Sequence, residues 1–89
     1  METTYKILRE EANKVFAEAC NLSAEAHKLF AEAKKLSYEA KKPSEAEKAQ
    51  NLFKKAHLLR MEANKLRAKV RELRAEADAE ARQDFLSIE

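Results

Sequence analysis

Few side chains in this sequence could carry chemistry. Cys20 and His27 lie seven residues apart, which sets them on one face of a helix, and His57 is the other of the two histidines. A thiolate and two imidazoles are raw material for a zinc site. Such sites draw on spacings like Cys-x-x-Cys, His-x-x-x-His or Glu-x-x-His, and none of these occurs. Nucleophilic catalysis needs a base within reach of the thiol and donors that hold an oxyanion. Cys20 has no general base at a suitable helical spacing. The expectation is a chain that is not an enzyme, with no metal, no cofactor and no small-molecule substrate. A lone cysteine also excludes an internal disulfide and fits a reducing compartment.

Arg60, Arg67 and Arg74 form a more regular set, recurring at heptad spacing within a segment, Lys48 to Arg74, whose acidic residues are only Glu62 and Glu72. One stripe of guanidinium groups can follow a phosphate backbone, and nucleic-acid binding by this stripe is the alternative function. A net charge of +2 and the absence of aromatic residues between these arginines along the sequence favour a solvated helix face.

The elements that position these residues are helical. Ala, Glu, Lys, Leu and Arg supply 59 of 89 residues, glycine is absent and Pro43 is the single proline. This composition indicates long helices and excludes a Gly-rich phosphate loop or a sheet with tight turns. Pro43 disfavours helix at the residue before it, and Ser44 with Glu47 has the spacing of a capping box. The spacing predicts one domain over 1–89, with helix 1 over about 4–42, a turn at 42–44, helix 2 over about 44–84 and a tail at 85–89.

A heptad runs through both helices. In helix 1, Ala12, Ala19, Ala26, Ala33 and Ala40 take position a, and Leu8, Val15, Leu22, Leu29 and Leu36 take position d. In helix 2, Ala49, Ala56, Ala63, Val70 and Ala77 take a, and Leu52, Leu59, Leu66 and Leu73 take d. If the chain folds back at Pro43, residues whose numbers add to 85 share a layer. Each such layer then sets one alanine against one leucine, except that Val15 meets Val70. Small residues let the backbones approach while the opposite leucine fills the layer. The fold class expected is all-α, an antiparallel two-helix hairpin of the Alacoil kind. The same register sets Glu39, Glu32 and Glu18 against Lys48, Lys55 and Lys69, but Glu25 against Glu62 and Glu11 against Glu76. Exposed pairs contribute only about 0–1 kcal/mol each, so packing must set the register.

An alanine seam buries little, and the flank of helix 1 does not read as a solvated face. Its e positions alternate Phe16, Ser23, Phe30 and Ser37, with Cys20, Ala24, His27 and Ala31 beside them. The expected self-association residues are Phe16, Cys20, Ser23, Ala24, His27, Phe30 and Ala31, with helix 1 antiparallel to its copy about a dyad near Ala26 and His27. The product would be a homodimer and a four-helix bundle. An amphipathic helix from another protein would compete for the same face.

The opening segment Tyr5-Lys6-Ile7-Leu8-Arg9-Glu10-Glu11-Ala12 resembles the Tyr-x-x-Leu-Arg-x-Glu-Ala start of the two-helix domain of unknown function that often precedes Smr nuclease domains. That resemblance implies a two-helix fold. The Gly-Asp turn usual in that family is missing and these 89 residues hold no Smr domain, so no nuclease activity comes with it. The chain is also similar to designed helical bundles, which share its in-phase heptads, short turn and complementary layers. No segment approaches the apolar length of a membrane span or reads as a signal peptide, so a soluble cytoplasmic chain with no membrane partner is expected.

Overall fold

A run of good helix formers uninterrupted by glycine has nothing to stop it, and in the computed structural model, which describes residues 3–87, two helices account for nearly all of the chain. Helix α1 spans Thr4–Glu39 and helix α2 spans Pro43–Ser87. They are antiparallel and pack along their lengths, giving the all-α hairpin that the heptads predict.

The connection covers residues 40–42, two places earlier than the turn expected at 42–44. Helix α1 stops at Glu39, and Ala40 leaves it with φ −64° and ψ 119°, an extended conformation. Among the described residues none has a positive φ, so the turn needs no glycine. Helix α2 starts on Pro43 itself, where the missing N–H is no loss and the fixed φ suits the first helical position. Lys42 is therefore the N-cap, and its carbonyl accepts from the Glu45 and Ala46 amides at 3.1 and 3.3 Å. The capping carboxylate is Glu45, whose Oε2 accepts from the Lys41 amide at 3.0 Å. The Ser44/Glu47 box is replaced because both residues lie two places too far into the helix. At its other end α2 continues to Ser87, so residues 85–87, read as tail, are helical. Ile88 and Glu89 fall outside the described residues.

The core is the predicted seam. Ala12, Ala19, Ala26, Ala33, Ala49, Ala56, Ala63, Val70 and Ala77, all a positions, are buried, together with Val15 and Leu73 at d. Val15, Val70, Ala12 and Leu73 form one cluster with Leu8 and Leu66 packed against it, which unites two of the expected layers. The remaining d leucines are half-buried. None of the predicted Glu–Lys pairs closes; among the described residues the one ion pair joins Arg9 to Asp78 at 3.8 Å. Exposed lysines and glutamates gain too little to hold two long side chains in one geometry.

The resulting rod measures 72 × 16 × 13 Å, with a radius of gyration of 20.1 Å against about 12 Å for a compact chain of this length. Its accessible surface of 7252 Å² exceeds the roughly 5300 Å² typical of a folded monomer of 10.2 kDa. No large side chain is fully buried among the described residues.

Candidate interaction face

Around an α-helix the heptad positions run a, e, b, f, c, g, d, so e, b and f together make one flank of the hairpin. In an antiparallel pair e faces e. Each e residue then has two neighbours across the seam, one at a number sum of 90 and one at 83. Side chains lean towards the N-terminus of their own helix. In an antiparallel pair that lean carries the residues summing to 90 towards one another and those summing to 83 apart.

The arginine contacts follow this geometry. Arg74 Cζ lies 5.3 Å from the centre of the Phe16 ring, and Arg60 Cζ lies 5.5 Å from that of Phe30. Between them Arg67 Nη2 donates to Ser23 Oγ at 2.9 Å. The large–small alternation on α1 is thus met by arginines on α2: a ring under one guanidinium, a hydroxyl under the next, a ring under the third. Phe53 on α2, whose number adds to 83 with that of Phe30, departs from the pattern: the two rings are large enough to meet, tilted, with centroids 6.1 Å apart. A guanidinium over an aromatic face gains about 0.5–1 kcal/mol at an exposed site.

The residues read as a self-association set all lie on this flank. Ser23 and Phe30 are half-buried; Cys20, Ala24, His27 and Ala31 are exposed, and Phe16 keeps 43% of its surface in solvent. From Phe16 to Ala31 the b, e and f positions of α1 carry no formally charged side chain, a stretch of about four turns. Arg60, Arg67 and Arg74 are exposed along the adjoining edge of α2. Ser23, Ala24, Ala26, His27, Phe30, Arg60 and Arg67 line an open cleft of about 480 Å³ on this face.

Two readings of the sequence change here. Two of the three arginines do have aromatic partners, Phe16 under Arg74 and Phe30 under Arg60, supplied by the other helix. The alternating flank is also partly covered within one chain. Cys20, His27 and His57 remain exposed, and among the described residues no group of three or more His, Cys, Asp or Glu is placed to hold a metal ion. No described helix is long and apolar enough to cross a membrane.

No family model, curated protein or solved structure matches this chain.

Proposed function

We propose that the chain is a non-enzymatic structural module, an idealised helical hairpin that self-associates through the α1 flank into a four-helix dimer. The observation that carries this reading is the uncharged, half-exposed face from Phe16 to Ala31, on a hairpin whose own seam buries mostly alanine. Exposed apolar area of this kind is what association removes from water, at about 25 cal/mol per Å². Phe30 would settle over Ser23 of the second copy and Phe16 over Ser37, about a dyad at Ala26 and His27. The glycine-free sequence with its matched layers also supports a design-derived origin.

Light scattering across a concentration series tests the proposal. A constant mass near twice the 10.2 kDa chain is expected. F16E/F30E should give monomer or unfolded chain, and an unchanged dimer in that variant would overturn the assignment of the face.

A second reading has its own support. Arginines interleaved with aromatic rings suit a single-stranded nucleic acid, whose bases stack while its phosphates are neutralised. A salt-sensitive shift with RNA, abolished in R60E/R67E/R74E, is its expected signature; no binding at low salt removes it.

A further inference from the structure

The flank proposed for self-association carries charge of one sign. Between Phe16 and Ser37 on α1, and between Gln50 and Ala75 on α2, positions b, e and f hold Lys34, Lys54, Arg60, Arg67, Arg71 and Arg74 and no Asp or Glu. The glutamates of those spans occupy c and g, away from this flank. Arg74 shares its cleft with Asp78. Arg60 and Arg67 share theirs with a hydroxyl, an imidazole and apolar side chains, and among the described residues neither forms an ion pair. Their guanidinium groups are held against α1 by Phe30 and Ser23. Each guanidinium has five N–H donors, and one hydroxyl contact or one ring face leaves most of them open to the cleft.

Self-association as proposed above, on which this inference rests, brings two such clefts together. Because α2 lies beside α1, a dyad that sets α1 on its copy sets α2 on its copy as well. The level of residues 26 and 27 on α1 corresponds, in the observed register, to residues 59 and 58 on α2. Arg60 is the nearest e position to that level, so it would meet Arg60 of the second copy, with both Arg67 side chains within about two turns. Facing guanidinium groups oppose docking unless a counter-charge lies between them.

We propose that this flank binds a compact divalent oxyanion of the phosphate or sulfate kind between Arg60 and Arg67, and that the anion, shared with the same residues of a second copy, drives dimerisation. Guanidinium groups pair with such oxyanions through two parallel N–H donors, which sets a geometry as well as a charge. A compact ion fits better than a polymer here, because the two arginines are seated around one local cleft and the third member of the stripe faces Asp78.

The test is the dimerisation constant of the full chain, by light scattering, in sodium chloride and in sodium phosphate at matched ionic strength. Phosphate should tighten the dimer by about tenfold or more. Phosphate also strengthens apolar burial without specificity, so R60Q/R67Q is measured alongside, its helicity checked by circular dichroism. That variant should dimerise in chloride alone and ignore phosphate. R60K/R67K keeps the charge without the planar fork, and its phosphate response should be weaker than that of the parent chain. Equal dimerisation of the parent chain in both salts overturns the oxyanion site and leaves self-association standing. A phosphate effect that persists in R60Q/R67Q overturns it too. A monomer in both salts overturns both proposals. Association driven by single-stranded RNA but not by phosphate overturns the compact site in favour of the extended one.

Discussion

At the scale of single residues, the seam sets an upper limit on side-chain size. Ala19, Ala56 and Ala63 have no accessible surface left, each lying under a half-buried leucine, so the helices stand as close as a methyl group allows. Ala63→Leu should therefore cost about 1–3 kcal/mol by overpacking, read as a shift of the urea midpoint. Leu73→Ala, in the cluster with Val15 and Val70, should cost about 2–5 kcal/mol by the same measurement. Leu36→Ala, at a half-buried site, should cost less than Leu73→Ala. The sizes are legible in the sequence because an Ala–Leu layer needs both partners, and the numbering alone shows which pairs complement. The arginine–phenylalanine contacts are harder to read. They depend on how side chains lean between helices, and a helix wheel drawn for one helix separates Arg60 from Phe30.

At the scale of the elements, the turn shows where sequence patterns compete. Ser44 and Glu47 fit a capping box, yet Pro43 is better used as the first helical residue, and that choice hands the N-cap to Lys42 and the carboxylate role to Glu45. Glu45→Ala should lower stability by about 0.5–1 kcal/mol, whereas Glu47→Ala should change it by less than about 0.5 kcal/mol; thermal unfolding separates the two. Helix α2 is longer than α1, 45 residues against 36, and in the observed register its last turn runs past the start of α1. Truncation after Arg82 should leave the unfolding midpoint within about 0.5 kcal/mol of the parent, because the part removed has no partner helix. Its helical state is not legible from the heptad, which fades at Glu80, but follows from the lack of any proline or glycine to end it.

At the scale of the whole molecule, a rod exposing 7252 Å² carries far more surface than its mass requires. A chain that self-associates should show a thermal midpoint that rises with protein concentration, as mass action demands. A midpoint independent of concentration from micromolar to millimolar would mark the hairpin as stable alone. The antiparallel arrangement has a mechanical consequence as well. Thr4 and Ser87 emerge near one end of the 72 Å rod and the turn lies at the other. Tension applied between those two ends does not shear the seam. It peels the layers apart in succession, beginning at Leu8 and Ala77 and passing at once into the cluster of Ala12, Val15, Val70 and Leu73, where the larger buried side chains of the seam meet. Beyond that clasp each layer offers only an alanine and a leucine. The hairpin should resist pulling up to the release of the clasp and then unzip towards the turn at a lower, nearly constant force.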